Sequence, residues 1–259
     1  MKENTPSLPQ ASSNANSFLY LLGVIFLQTL LSVLPGILLY HQDSGKNWQG
    51  ALLLIGYLLV TNFSEMAVRT QYRKQKRFPA AAYAIKILIC SVLIILFASQ
   101  THWQFALMLF AYELFQTLAN SRQYFYLDSP YYTLLNPFFK GFVLNLLFLM
   151  KPPLYFQSKQ FQALVPAFLM ALTLTVFQQA HVSQINRKKI FIAAFLLASL
   201  LNIGGLIYFS GELFAFWQVI VAIAGILVGT YFAFRQRHFL KAEAVLNFCY
   251  LIIIFLLYF

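Results

Sequence analysis

Residues 69–77 read RTQYRKQKR and form the largest of four basic clusters that punctuate an otherwise apolar chain. The other three are Arg122, residues 187–189 (RKK) and residues 235–241 (RQRHFLK). Two apolar segments separate each cluster from the next, so the chain can cross a bilayer and return between them. Because cytoplasmic loops of membrane proteins retain Lys and Arg, the spacing predicts that all four clusters face the cytoplasm.

The composition excludes a soluble domain, because only 10% of the residues are charged and 60% are hydrophobic. A membrane span needs about 20 apolar residues, so residues 18–259 are predicted to form one all-α polytopic membrane domain with about nine transmembrane helices. The predicted spans are 18–40, 49–68, 79–98, 103–120, 137–155, 162–181, 190–209, 213–234 and 242–259. Residues 1–17 are polar and rich in Ser, Asn and Pro, which predicts a disordered cytoplasmic tail without a cleavable signal peptide.

The distribution of charge predicts how the chain is oriented. Thirteen Lys and Arg residues fall in the tail and the loops with the basic clusters, and three fall in the opposite loops. The N-terminus is therefore predicted to be cytoplasmic and, with nine spans, the C-terminus external. These loops account for the net charge of +11, so the expected partner is membrane lipid rather than nucleic acid, and the expected location is the cell membrane.

The fifth span is predicted to follow a polar-aromatic stretch at residues 121–136 (SRQYFYLDSPYYTLLN). This stretch is expected to be a loop or a short interfacial helix, with Pro130 and Pro137 breaking the chain on either side of YYTLLN.

Two charged residues at membrane depth are predicted to form an ion pair. Lys86 lies seven residues after the cytoplasmic start of the third span and Glu113 seven residues before the cytoplasmic end of the fourth. Both are therefore about 10 Å from the same surface, on antiparallel neighbours joined by a very short loop. The alternative is that Lys86 extends to the interface and Glu113 is protonated.

Polar residues at the cytoplasmic ends of the second and sixth spans are candidate binding residues. Asn62 and Glu65 are three residues apart and share a helix face, as do Gln178 and His181. They can point into one cavity, and the alternative is that they are ordinary helix-end polarity at the headgroup level.

Tyr131 and Tyr132 lie close to Lys140 in the sequence. Tyrosine hydroxyls and a cation can together hold a phosphate, and simple interfacial anchoring is the alternative. Motifs of soluble enzymes are absent, and Cys90 and Cys249 have no His or Cys neighbour, so no metal site or disulfide is predicted.

Nine spans, a cytoplasmic N-terminus and polar helix ends that run into basic loops together resemble the UbiA-type intramembrane prenyltransferase superfamily. The two ends read VTNFSEMAVRTQYRK at residues 60–74 and VFQQAHVSQINRKK at residues 176–189. The resemblance implies a helical cavity that is open to lipid and binds an isoprenyl diphosphate. It also implies Mg²⁺ held on the diphosphate by acidic motifs at these two helix ends.

The chain departs from the family at these acidic motifs. When the family motif NDxxDxxxD is aligned on Asn62, its three acidic positions are occupied by Phe63, Met66 and Thr70. Glu65 is the nearby acid, and it is out of register with the motif. The second motif, DxxxD, falls in a stretch that contains no acid. Mg²⁺ is thus expected from the resemblance, while the carboxylate ligands that it prefers are missing.

Basic and tyrosine side chains are the remaining candidates for binding the diphosphate. YYTLLNPFFK is similar to the family's Tyr and Lys positions, which implies a role for Tyr131 or Tyr132 and for Lys140. Arg69 and Arg73 could neutralise phosphate directly. Cations alone would, however, give less assistance to the departure of the diphosphate as a leaving group.

The expected function is that of a UbiA-like protein that handles a polyprenyl diphosphate or similar lipid at the cytoplasmic leaflet. As an enzyme it would be a prenyltransferase, which transfers an alkyl group other than methyl, and the missing acids leave its activity open. The alternatives are a permease subunit of a membrane exporter and a non-catalytic immunity or scaffold protein. The lipid hypothesis predicts that the ends of spans 2 and 6 face each other, and the permease hypothesis predicts a polar path to both sides.

Overall fold

The computed structural model describes residues 11–41, 48–73, 78–120, 126–127, 129–149, 158–182, 185–236 and 238–259. Within these residues the chain is helical, with short turns. The helices are α1 (Ala11–His41), α2 (Trp48–Arg73), α3 (Ala80–Gln100), α4 (Trp103–Ala119), α5 (Pro130–Pro137), α6 (Leu144–Leu149), α7 (Ser158–Val182), α8 (Ile185–Tyr208), α9 (Phe216–Arg235) and α10 (Phe239–Tyr258). A π-helical stretch, Phe138–Val143, joins α5 to α6 and is called the π-segment below.

The lengths and surfaces of these helices suit a bilayer. Eight helical stretches of the described chain are 20 to 24 residues long and apolar enough to cross a membrane. The outward faces are apolar, and Leu88 of α3 and Leu227 of α9 expose 65% and 57% of their surface. Helices satisfy their own backbone hydrogen bonds, so such faces are stable against lipid. The protein is a multi-pass helical membrane protein, as the composition predicts.

Helix α4 is shorter, and its contacts show that it also runs the length of its neighbour. It has 17 residues, which corresponds to about 25 Å. The hydroxyl of Tyr83, near the start of α3, donates to the carbonyl of Thr117, near the end of α4, at 2.7 Å. The two helices are therefore antiparallel, and α4 returns the chain to the end of the bundle where α3 began. With α4 included, the described chain passes along the bundle nine times.

The fifth pass differs from the prediction. It begins at Pro130 rather than at residue 137, and α5, the π-segment and α6 form one continuous helical stretch to Leu149. Pro130 occupies the first helical turn, where its missing N–H removes no hydrogen bond. Ser129 caps this turn by accepting a hydrogen bond from the backbone N–H of Tyr132 at 3.2 Å. The prediction of a break at Pro137 was wrong, because the helix widens into the π-segment instead of ending.

Two apolar cores flank α1. One is formed with α7, α8, α9 and α10 and includes Leu34 of α1. The other is formed with α2, α3, α4, the π-segment and α6 and includes Val33 of α1. The polar residues described next lie where these two halves of the bundle meet.

Two glycines allow the closest helix contacts. A Cβ atom on Gly36 of α1 would lie 2.6 Å from the backbone oxygen of Asn145 in α6. A Cβ atom on Gly141 of the π-segment would lie 2.8 Å from the backbone nitrogen of Phe168 in α7. Small residues let membrane helices approach closely, and here they allow the fifth pass to pack directly against α1 and α7.

Candidate functional site

Glu65 and Arg69 form the centre of a buried polar cluster. They are four residues apart in α2, share one face, and expose only 1% and 3% of their surface. The Glu65 carboxylate pairs with the Arg69 guanidinium and accepts a hydrogen bond from the Tyr132 hydroxyl of α5. It also accepts a hydrogen bond from Lys140 Nζ, in the π-segment, at 2.9 Å. Glu65 therefore ties α2 to the fifth pass.

Arg69 extends the same cluster to α7 and α10. Its Nη2 donates to Gln178 Oε1 at 2.5 Å and lies 3.3 Å from the Tyr132 hydroxyl. Its Nη1 lies 3.6 Å from Oε1 of Glu243 in α10. The C-terminal ends of α2 and α7, which correspond to the second and sixth predicted spans, thus meet through a direct hydrogen bond.

Two further members, Gln28 of α1 and Glu243 of α10, are absent from the sequence prediction. Oε1 of Glu243 accepts from Gln178 Nε2 at 2.7 Å and from Gln28 Nε2 at 2.6 Å. A signal for Glu243 was present, because an acid within an apolar segment is costly unless it has a partner. We call the whole set the polar cluster: Gln28, Glu65, Arg69, Tyr132, Lys140, Gln178 and Glu243.

The formal charges of the polar cluster balance. Two carboxylates, Glu65 and Glu243, face one guanidinium and one ammonium, those of Arg69 and Lys140. All four side chains expose less than a tenth of their surface. Buried charges are tolerated only when they are paired and hydrogen-bonded, so the balance is what allows these groups to sit inside the bundle.

The π-segment and Asn145 set the position of Lys140. A π-helical turn leaves backbone carbonyl groups out of the regular α-helical pattern. Asn145 Nδ2 donates to the carbonyl groups of Lys140 and Gly141 at 3.0 and 3.1 Å. Its Oδ1 accepts from the backbone N–H of Gly36 at 2.7 Å. Asn145 thereby satisfies the irregular backbone and couples it to α1.

A second set of hydrogen bonds holds α5 against α4 and α7. Gln116 Nε2 of α4 donates to Asn136 Oδ1 at 3.3 Å, and Asn136 Nδ2 donates to the hydroxyl of Thr175 at 3.0 Å. The Thr133 hydroxyl donates to Gln179 Oε1 at 2.8 Å. These bonds place Tyr132 and Lys140 on the same side as Glu65 and Gln178.

A cavity of about 30 Å³ adjoins the polar cluster. By volume it has room for about two water molecules. Its polar lining comes from Gln28, Ser32, Asn136, Lys140, Thr175 and Gln178. Its apolar lining comes from Leu31, Ala167, Met170, Ala171, Leu174 and Ile254. The cavity lies between α1, the fifth pass, α7 and α10, and is polar where it touches the cluster and apolar elsewhere.

Several predicted binding residues lie away from this cavity. Asn62 is fully buried and donates to the Thr29 hydroxyl of α1 at 3.0 Å. Tyr131 is 77% exposed on the outside of α5, so Tyr132 is the tyrosine that enters the cluster. The His181 ring packs on Phe239 with centroids 4.7 Å apart. Arg73 ends α2, and its side chain, like Arg122, lies outside the described part of the structure.

Lys86 and Glu113 form a separate ion pair between α3 and α4. The structure thus brings together the two residues that the sequence places at equal depth. The hydroxyl of Tyr57 in α2 also donates to Glu113, at 3.1 Å. This pair fixes the α2–α3–α4 side of the bundle and makes no contact with the polar cluster among the contacts described.

The residues of the polar cluster do not fit a magnesium site. Mg²⁺ prefers carboxylate oxygens that are free to coordinate it. Both oxygens of Glu65 accept hydrogen bonds from cations, and Oε1 of Glu243 is shared by Gln28, Gln178 and Arg69. Among the residues that the structure describes, no group of three or more His, Cys, Asp or Glu side chains is arranged to hold a metal ion.

Fold and site together define a multi-pass α-helical membrane protein with a charge-balanced cluster beside a small amphipathic cavity. Compared with models of known protein families, with curated proteins and with solved structures, the chain shows no match.

Proposed function

We propose that the chain is a UbiA-like membrane protein that binds a polyprenyl diphosphate or a similar polyprenyl lipid at the cytoplasmic leaflet. The observation that carries the proposal is the meeting of α2 and α7 at the Arg69–Gln178 hydrogen bond. These are the two helix ends at which the resembled family binds its substrate, and Tyr132 and Lys140 converge on the same point.

The shape of the cavity supports a lipid as the ligand. A lipid with one polar end needs hydrogen-bonding groups at one place and apolar walls beside them. Gln28, Lys140 and Gln178 supply the first, and Met170 and Leu174 are among the residues that supply the second. The cavity is small as it stands, so binding requires α1 or the fifth pass to move outward.

The proposed orientation places this end of the bundle in the cytoplasm. Helices α2 and α9 run into basic clusters at that end, and α10 begins from one. An N-terminus in the cytoplasm and, after nine passes, a C-terminus outside satisfy the preference of Lys and Arg for the cytoplasmic side.

The cluster supports binding better than chemistry. Prenyl transfer would require a diphosphate to leave, and leaving is assisted by groups that stabilise the charge that develops. Here Arg69 and Lys140 are already neutralised by Glu65 and Glu243. The proposed activity is therefore lipid binding, and prenyl transfer is the reaction to test if the protein proves to be an enzyme.

Photoaffinity labelling tests this proposal. The purified protein in lipid nanodiscs is exposed to a polyprenyl probe that carries a diazirine, irradiated and mapped by peptide mass spectrometry. We expect labels on Met170, Leu174 or Ile254, and we expect Ala171→Trp, which fills the cavity, to abolish them. The outward substitution Leu88→Trp is the matched control and should leave them unchanged. Labels confined to outward faces, as for bulk lipid, would refute the proposal.

A permease subunit is the second candidate, and one feature of α10 favours it. Asn247 and Tyr250 continue the face of Glu243 deeper into the bundle, and all three are fully buried. Oε2 of Glu243 and both polar atoms of Asn247 have no hydrogen-bond partner among the described residues. Seven residues of helix correspond to about 10 Å, so this polar stripe extends the cluster toward the other side.

Thiol accessibility distinguishes the two candidates. In a background with Cys90 and Cys249 replaced by Ser, Asn247→Cys is treated with a membrane-impermeant maleimide. Rapid modification would favour a water-filled permease path, whereas a protected thiol together with cavity labelling would favour lipid binding. A cysteine at Phe259, which is 93% exposed at the chain end, is the positive control.

A further inference from the structure

We infer that the lipid headgroup accepted by this cavity is uncharged, as in a polyprenyl alcohol, and that charged phosphate esters are disfavoured. This inference rests on the proposed lipid-binding function and narrows its ligand. Three observations carry it: the charge of the polar cluster, the size of the cavity, and the free donors of Lys140.

The charge balance leaves no excess positive charge for an anion. The formal charges of Glu65 and Glu243 together equal those of Arg69 and Lys140. A diphosphate carries several negative charges, and moving it from water into a buried site is unfavourable without matching cations. It could take Arg69 only by displacing Glu65, and on the unused donors of Lys140 it would lie beside the Glu65 carboxylate, whose like charge repels it. A neutral headgroup imposes neither cost.

The size of the cavity favours a small headgroup. At about 30 Å³ it has room for roughly two water molecules, so any lipid requires α1 or the fifth pass to move outward. A hydroxymethyl end requires a smaller movement than a diphosphate, which is several times larger. A lipid alcohol could thus place its hydroxyl against the existing polar wall while its chain displaces only apolar contacts, such as those of Met170, Leu174 and Ile254.

Lys140 offers hydrogen bonds that a hydroxyl can use. An ammonium group has three N–H donors, and the described contacts of Lys140 Nζ use one of them, to Glu65. Lys140 also lines the cavity. A hydroxyl oxygen can therefore accept from Lys140, and its proton can be donated to an amide oxygen of the polar wall, such as that of Gln28, which also lines the cavity.

Binding of three lipids with the same chain tests the inference. Farnesol, farnesyl phosphate and farnesyl diphosphate compete with a labelled diazirine probe for cross-linking to the protein in nanodiscs, and empty nanodiscs correct for partitioning. We expect farnesol to compete at a concentration at least tenfold lower than the diphosphate. Equal or better competition by the diphosphate overturns the inference while leaving lipid binding intact. If none of the three competes, lipid binding itself fails and the inference fails with it.

Two charge variants sharpen this test. Glu65→Gln leaves the cluster with a net positive charge, so competition by farnesyl diphosphate should improve at least tenfold. The double variant Glu65→Gln, Lys140→Met returns the cluster to neutrality and should remove the gain for farnesyl diphosphate, while farnesol also loses its hydrogen bond from Lys140. If the single variant folds and shows no gain for the diphosphate, the charge of the cluster does not set the preference, and the inference is wrong. Size-exclusion profiles establish folding, and the comparison of the three lipids on the unmodified protein decides the question if the single variant does not fold.

Discussion

Replacing Glu65 should expose how much the bundle depends on the balance of its buried charges. Glu65→Gln leaves Lys140 without its ion-pair partner, while Arg69 keeps Glu243 at 3.6 Å. Breaking a buried pair from one side costs about 3–5 kcal/mol, because the remaining charge is left uncompensated. Lys140→Met should cost less, about 1.5–3 kcal/mol for one charged hydrogen bond, because Glu65 keeps Arg69 and Tyr132.

The double variant provides the decisive comparison. Once Glu65 is Gln, removing Lys140 also removes the orphaned charge, so the double variant should be more stable than the sum of the single effects predicts by about 2 kcal/mol. Unfolding is followed by titrating SDS into detergent micelles, with a thiol-reactive dye reporting exposure of Cys90, which is fully buried in the folded protein. If the two effects add to within about 0.5 kcal/mol, the coupling between these residues is absent and the proposed balance is refuted.

Three further predictions concern the fold. Gly141→Ala should destabilise the protein by about 1–3 kcal/mol in the same SDS titration, because the new Cβ atom meets the backbone of Phe168. Gly56→Ala is the control: its new Cβ atom has nothing within 4 Å, so the substitution should be neutral or slightly stabilising. Lys86→Glu and Glu113→Lys should each lower the yield of folded protein on size exclusion. The double exchange should recover the yield, because it restores the ion pair. A double variant with a yield as low as that of the single variants would contradict the pair. Reporter fusions should place the N-terminus in the cytoplasm and the C-terminus outside, and termini on the same side would contradict the nine passes.

Features of the fold can be predicted from the sequence when they depend on only one helix or one short loop. The depth of Lys86 and Glu113 follows from counting residues to the nearest helix end, and the short loop between their helices makes them neighbours. Glu65 and Arg69 share a face because they are four residues apart. In each case the relevant geometry lies within one helix or one helical hairpin.

The composition of the polar cluster depends on which distant helices become neighbours, and one sequence does not contain that information. Glu243 meets Gln28 across 215 residues of chain, because α10 packs beside α1. The face of α5 that points inward is likewise set by packing, which buries Tyr132 and leaves Tyr131 outside. Pro137 is compatible with a break or with a widened helix, and only its neighbours decide between them.

The π-segment decides which side chains of the fifth pass can act together. Tyr132 and Lys140 both meet Glu65, although they are eight residues apart. In a regular α-helix eight residues turn through about 800°, which would put these side chains about 80° apart around the helix. The π-helical turn accommodates one extra residue and so brings them back to one face. Deleting a single residue such as Phe139 should let α5 and α6 join as an uninterrupted α-helix. Tyr132 and Lys140 would then be seven residues apart and would still share a face, so this deletion should preserve the polar cluster.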